Sequence, residues 1–455
     1  MEMIYRNART VVIWLGLSAR TMTETSPDFD DDETTAFGDF ENAFALANRA
    51  EASEGESDKL MIHLFDTSRS GWDDLRQVFL HEYWSRTWII QELALATSVT
   101  VMRGHDTCTW NALSKLQRLV RDNRIFIDLY RSEFFVFLDP TNVIANALPA
   151  SIDGIRSPKE HEKCTDLIEL LQRFRSSQAT DPRDKVYGML GLAEEAFRKR
   201  LKIDYEKKVA DVYTDVAKTL IMHSRDVSFL ADCFYRPEEL SDAPSWVPNW
   251  TARLPPSYVS LHELSIKAPF NASGALEIAA SIDGDCLLVN GVRIASIVDL
   301  ASVEDLSRSN RPDGHIYSDE VSKKHGISND EYWIIQAANR NMDGSEYCKR
   351  EPGVKGEGRD PTLLDRAPSM MGEFRAPYGR RFFGTDIHVC GLAPVETEIG
   401  DLVCVVFGCH VPIVLRKMGE TYRVLGESYL HGFMQGEVES GLKDGRLHAG
   451  TFKLC

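Results

Sequence analysis

The hydrophobic period of this chain changes once, near residue 270, and the change commits it to a helical part and a separate β part. Before it, apolar residues recur at helical spacing. Leu75, Val78 and Phe79 form one stripe, Trp110, Leu113, Leu116 and Val120 a second, Leu167, Ile168, Leu171 and Phe174 a third, and Val209, Val212, Val216 and Leu220 a fourth. Side chains three and four apart share a helix face, so each stripe predicts a helix with one buried side. After the change, short apolar runs alternate with turn residues: Leu276-Glu277-Ile278, Asp283-Gly284, Leu287-Leu288-Val289, Asn290-Gly291, then Val292 to Ile297. Further runs lie near Phe382, at Leu402 to Phe407, Val411 to Leu415 and Tyr422 to Leu425. This spacing predicts a small barrel or sandwich, with a hairpin at Asn290-Gly291. A helix is expected from Asp330 to Asn339.

Two runs in the first part read as strands, Val11 to Leu15 and Val99 to Arg103. A continuous apolar run suits a buried parallel strand. With the helices around them they predict an α/β unit over residues 1–150, a partial parallel sheet of flavodoxin type. A helical region over 151–260 and a β-rich domain over 261–455 follow. Residues 20–60, with Asp30-Asp31-Asp32-Glu33, read as a solvated or disordered acidic insertion. Residues 350–378 mix Gly, Pro and charge without periodicity and read as a flexible loop. Ser245-Trp246-Val247-Pro248-Asn249-Trp250 is extended and stiffened by proline, and its tryptophans are expected to staple the helical region to the α/β unit.

The 455 residues, 43% of them hydrophobic, suffice for two or three domains with cores of their own. The formal charge of −17 argues against nucleic acid, whose phosphates need a positive face, and against anionic membrane surfaces. No apolar run has the length of a bilayer span. Nine cysteines, odd in number and scattered, fit reduced thiols and a cytoplasmic protein better than a disulfide framework. Cys404, Cys409 and His410, with His388 and Cys390 upstream, lack the paired spacing of a zinc site, so no metal is expected.

One carboxylate stands out. Glu92 follows Trp88 by one helical turn among Ile89, Leu93, Leu95 and Ala96. A charge on an apolar face is costly unless it is paired or used. Two readings stay open: an acid that meets an arginine or lies at the helix edge, and an acid that works in a cleft beside the indole.

The segment Tyr83-Trp84-Ser85-Arg86-Thr87-Trp88-Ile89-Ile90-Gln91-Glu92-Leu93 resembles the tryptophan-to-glutamate motif of fungal heterokaryon-incompatibility (HET) domains. Ile4-Tyr5-Arg6-Asn7-Ala8 with the run Val11 to Gly16, the stretch Asp181 to Leu192, Pro244 to Trp250, and Gly426 to Glu437 are similar to further stretches of the family's long form, in the same order. HET domains in turn resemble Toll/interleukin-receptor (TIR) domains, some of which cleave NAD at the bond to nicotinamide. The resemblance implies a cytoplasmic protein of fungal non-self recognition and programmed cell death, related to innate-immunity signalling. It implies action by protein assembly, with protein partners that include further copies of the chain. Carried over, Glu92 is the catalytic carboxylate of an NAD(P) glycohydrolase, Trp88 lies at its ligand, and NAD is a substrate; no cofactor is implied. The family's Ser-Tyr-x-Trp-Gly-like and Ile-Cys-Ile-Asn-Gln-like motifs are absent, so an N-terminally truncated unit is expected, inactive as it stands. A degenerate fragment is the remaining alternative.

The remaining motifs read as structure. In Asp181-Pro182-Arg183-Asp184, Asp181 can cap a helix, Pro182 suits its first position and Asp184 meets the dipole, while Arg183 is expected to pair with a core carboxylate. His431, followed by Glu437, reads as a packed histidine in a turn. No Walker loop, nucleophile elbow or His-Glu-x-x-His helix occurs.

Overall fold

The structure, a computed structural model, describes residues 2–16, 43–52, 69–122, 148–156, 166–224, 226–234, 240–251, 259–265, 268–301, 320–340, 376–377 and 379–455. The chain divides into two compact units, Met1–Lys199 and Arg200–Cys455. The helical stretch expected over 151–260 is shared between them. The expected α/β region, middle helices and β-rich end are all present.

In the first unit, β1 (Val11–Trp14) runs parallel to β2 (Val99–Arg103), and β3 (Asp106–Thr109) pairs antiparallel with β2. The helices are α1 (Glu2–Asn7), α2 (Ala43–Ala52), α3 (Arg69–Phe79), α4 (Trp88–Leu95), α5 (Trp110–Asp122), α6 (Leu148–Arg156), α7 (Leu167–Arg173), α8 (Asp184–Leu190) and α9 (Glu195–Arg200). Alternation along β1 is complete: Ile13 is fully buried, while Val12 and Trp14 are 57% and 49% exposed. Parallel register sets Val12 beside Thr100 and Trp14 beside Met102, both half-buried, whereas Val99 and Val101 face the core. One sheet face therefore lines the core, and the other presents apolar side chains at the surface.

The acidic insertion expected at 20–60 is corrected over part of its length. Ala43, Phe44, Leu46, Ala47 and Ala50 of α2 are buried, and the helix packs on α5 and β3. Its short apolar stripe sits inside an acid-rich stretch whose composition masks it. Asp74 anchors its first amide, accepting from Ala43 at 2.9 Å while also pairing with buried Arg103. Residues 20–42 and 53–60 lie outside the described residues, as does nearly all of the loop at 350–378.

The second unit holds α10 (Val209–Ser224), α11 (Leu261–Leu264), α12 (Glu320–Lys324), α13 (Asn329–Gln336) and α14 (Glu437–Lys443). Its strands are β4 (Ala280–Asp283), β5 (Cys286–Leu300), β6 (Arg380–Thr385), β7 (Cys390–Pro394), β8 (Leu402–Val406), β9 (Ile413–Met418), β10 (Thr421–Glu427), β11 (Tyr429–Leu430) and β12 (Ala449–Leu454). Pairing runs β5 to β12, β12 to β10, β10 to β9, β9 to β8 and β8 back to β5, which closes a ring. Side chains fill it: Val292, Ala295, Val403, Val405, Val414 and Leu425 belong to one buried cluster. β5 then leaves the ring to pair with β6, continued by β7 and β11. Register shifts at Arg293/Ala295 and Ile297/Asp299 let it serve both sheets, since bulges bend a strand.

Asn290-Gly291 is not a hairpin. Both residues lie inside β5, and the turn falls earlier, between β4 and β5, where Gly284 adopts φ +63°. Gly291 serves another purpose. A Cβ there would lie 2.6 Å from the Val405 carbonyl oxygen, so glycine lets β8 approach. Trp246 and Trp250 are anchored within the second unit: the Trp246 indole donates to the Asp285 carbonyl at 2.9 Å, and Trp250 meets Tyr213 edge-on at 5.0 Å.

The expectation of reduced thiols is also corrected in part. Cys286 and Cys455 form a disulfide, whereas Cys108, Cys233, Cys390, Cys404 and Cys409 are free and buried. Burial pushes the Cys108 thiol up to about 12 and raises Cys404 and Cys409 as well, so all three stay protonated at neutral pH.

Candidate functional site

α4 carries the candidate residues, and its start is fixed by a strap from the second half of the unit. Gln178 accepts the Thr87 amide at 2.8 Å and donates its own amide to Ser85, so residues 85–87 and 178 pair as a short parallel bridge. The Thr87 and Ser177 hydroxyls lie 2.9 Å apart. Lys185, on α8, holds the strap: its ammonium donates to the carbonyls of Arg175 and Ser177 at 2.6 Å and of Phe174 at 3.4 Å. Burial lowers this ammonium to about 7, with Arg175 a second cause; the carbonyl oxygens act in the opposite sense.

α8 lies flat on α4. A Cβ on Gly188 would stand 2.9 Å from the Thr87 methyl, and one on Gly191 would overlap the buried Gln91 side chain at 1.5 Å. From the same face, Asp184 accepts the Trp88 indole N–H at 3.0 Å. The stretch 184–191 is thus a platform that positions Trp88, and its glycines are needed for close approach.

Glu92 sits on the other flank, toward α1. It is half-buried, and the Tyr5 hydroxyl donates to its carboxylate. Burial first, then Glu92, push the Tyr5 phenol up to about 12, with Arg86 opposing. Tyr83 is raised by burial and by the Glu92 charge, again against Arg86. Both phenols therefore stay protonated at neutral pH. Arg86 is exposed. Glu92 is neither in open solvent nor locked to a guanidinium deep in packing. The structure thus sets one carboxylate, two phenols and a surface guanidinium around the ends of α1 and α4, with the Trp88 indole one helical turn from Glu92 and held toward α8. Such a set can hold a polar ring, and the carboxylate can face a developing positive charge.

The other sequence candidates fall elsewhere. Arg183 pairs with Asp181, two residues away, at 2.7 Å. Asp181 accepts the Arg183 amide, a local turn, and α8 begins only at Asp184. His431 packs against Tyr429 in the turn after β11, and Glu437 accepts the Gln435 amide at 2.7 Å. Among the described residues, no cluster of His, Cys, Asp and Glu could hold a metal ion.

Sequence reasoning missed Tyr5, Tyr83 and Arg86 as neighbours of Glu92, and Asp184 as the partner of Trp88. One signal was present: Asp184, Gly188 and Gly191 share a helix face, and two glycines on one face mark close packing.

Residues 1–92 match the heterokaryon incompatibility protein (HET) family, and residues 370–445 match the Het-6 beta-barrel domain. The first match ends at Glu92. The second covers β6 to β11 and α14, while the ring also needs β5 and β12 from outside it. Heterokaryon incompatibility protein 6, OR allele, of Neurospora crassa is 24% identical over 352 residues, covering 60% of this chain and 51% of that protein. The chain thus spans about half the length of the curated relative it matches. No solved structure matches it. No helix among the described residues is long and apolar enough to cross a membrane. The chain thus carries a segment similar to the HET family, a segment similar to the Het-6 beta-barrel domain, and an overall likeness to a fungal heterokaryon incompatibility protein.

Proposed function

We propose that this protein acts in fungal incompatibility, in non-self recognition and the cell death that follows it, and that it works by protein assembly with copies of itself. The two family matches and the name of the Neurospora relative support the role. The observation that carries assembly is the sheet face of the first unit. It sets Val12 and Trp14, 57% and 49% exposed, beside Thr100 and Met102. Large apolar side chains grouped on a sheet surface mark a contact site. Light scattering across a concentration series tests this. The wild type is expected to gain mass with concentration, and Val12→Glu/Trp14→Glu to stay monomeric. A wild type that remains monomeric at high concentration, or a double variant that assembles equally well, overturns the reading.

The setting of Glu92 favours a second reading, cleavage of NAD at the bond between ribose and nicotinamide. Glu92 would stabilise the oxocarbenium-like centre on the ribose, and Trp88, held by Asp184, would border the ring. This reading sets aside the inactivity expected of a truncated unit: purified protein incubated with NAD should release nicotinamide, no release overturns the reading, and Glu92→Gln should lower the rate by at least about a hundredfold, as loss of a group acting in the transition state does. Nicotinamide release that survives the substitution removes Glu92 from the chemistry.

A further inference from the structure

The ring of the second unit has one weak seam, between β10 and β12, and a disulfide beside it fixes the end of β12 to β5. β12 pairs with β5 along its whole length, from Ala449 opposite Val292 to Leu454 opposite Leu287. Its other edge meets β10 through a single parallel register pair, Tyr422 with Leu454, and the Cys455 amide donates to the Tyr422 carbonyl at 3.0 Å. Elsewhere the ring is held by longer antiparallel ladders. Closure between β10 and β12 therefore rests on very few backbone bonds.

Two devices reinforce this point. Ser245 bridges the seam, its hydroxyl donating to the Cys455 carbonyl and accepting the Val424 amide at 3.1 Å. Beside it, Cys286, the first residue of β5, is bonded to Cys455 just past the end of β12, with Cα atoms 4.4 Å apart. Both cysteines are half-buried, whereas the free cysteines among the described residues are buried. Among the described cysteines of this unit, redox chemistry is thus directed to the two sulfurs that fix the end of β12 to β5, next to the seam. A bond between partly exposed cysteines is open to thiol exchange.

We propose that Cys286 and Cys455 form a reversible redox latch that opens and closes the β10–β12 seam. On oxidation by a peroxide, one thiolate attacks an oxygen of hydrogen peroxide, giving a sulfenic acid and hydroxide. The second thiol then displaces water from that sulfur as the disulfide forms. Overall, two thiols and one peroxide give one disulfide and two waters. A dithiol returns the pair to thiols by exchange, itself becoming a disulfide. Latched, β12 is pinned to β5 beside β10. Unlatched, the end of β12 loses its covalent tie to β5, and the Tyr422 and Ser245 contacts are left to hold it at the seam as it frays.

Hydrogen exchange of the full chain tests this, with the thiols counted by alkylation in the same samples. After hydrogen peroxide, Cys286 and Cys455 should resist alkylation, and the amides of Val424 and Cys455 should exchange slowly. After dithiothreitol, both cysteines should alkylate, and those amides should exchange at least about tenfold faster while the β8–β9 ladder is unchanged. Cys455→Ser should show the fast rate under both conditions. Thiols that remain alkylable after peroxide overturn the latch. So does exchange at the seam that ignores the state of the pair, in the wild type or between wild type and variant.

Discussion

Arg380→Met should lower the stability of the second unit by about 3–5 kcal/mol, the usual effect of stripping one partner from a buried ion pair. Arg380 opens β6 and Glu427 ends β10, and their side chains are 1% and 3% exposed. The guanidinium donates to the Glu427 carboxylate, to the Ala376 carbonyl at 2.8 Å and to the Val259 carbonyl at 3.0 Å. Glu427 in turn accepts the Leu261 amide at 3.0 Å. The pair thus ties the segment around 259–261 to two strands. Methionine fills similar volume but takes the guanidinium away from a buried carboxylate. Arg380→Met/Glu427→Met, which removes both charges, should cost less than the single change, because the coupling between them is large. Urea unfolding of the three proteins measures this. A single variant within about 1 kcal/mol of wild type, or a double variant worse than the single, would show that the pair contributes little.

The same pair shows where sequence reading stops. Runs of one period were legible: Val99 to Arg103 is β2, Trp110 to Val120 lies in α5, and Leu402 to Phe407 contains β8. Such elements are set by local side-chain alternation. What was not legible depends on partners distant along the chain. Asn290-Gly291 carries the local chemistry of a turn, yet contact with β8 makes it strand interior. α2 announces itself by only a few apolar positions, and only packing on α5 gives them value. At the candidate site, the spacing of Trp88 and Glu92 was visible, but Tyr5 and Asp184 come from α1 and α8, and nothing local joins them to α4. From local sequence Asp184 is a charge for the helix dipole. It does lie in the first turn of α8, and its carboxylate also takes the indole N–H.

Lys185→Met should cost the first unit about 3–5 kcal/mol and should loosen α4 at its start. Lys185 is 5% exposed, and its ammonium is the shared donor for the carbonyls of Phe174, Arg175 and Ser177. Methionine keeps the packing of the stem but removes the donor that the Arg175 and Ser177 carbonyls share, each lost buried bond being worth about 1–3 kcal/mol, while Phe174 keeps the Ser177 amide as a donor at 3.0 Å. The strap from 174 to 178 then loses the group that gathers it, and with it the bridge to residues 85–87. The effect should depend on pH. The folded value of Lys185 is lowered to about 7, below that of an unfolded lysine, so the unfolded chain binds the extra proton above this pH. Wild-type stability therefore gains as pH rises through about 7 toward the unfolded value, and the variant lacks that gain. The destabilisation by Lys185→Met should be about 2 kcal/mol larger at about pH 8.5 than at about pH 6.5, from roughly 1.4 kcal/mol per unit of separation. Urea unfolding at both values, with hydrogen exchange to assign the transition to the first unit, measures the difference. A gap that stays constant would mean that the carbonyl cage keeps the ammonium charged throughout. A gap that shrinks would reverse the assigned direction. Whichever way the titration falls, faster exchange of the Thr87 amide in the variant is the mark of the strap. Unchanged exchange there would separate Lys185 from the positioning of Trp88 and Glu92.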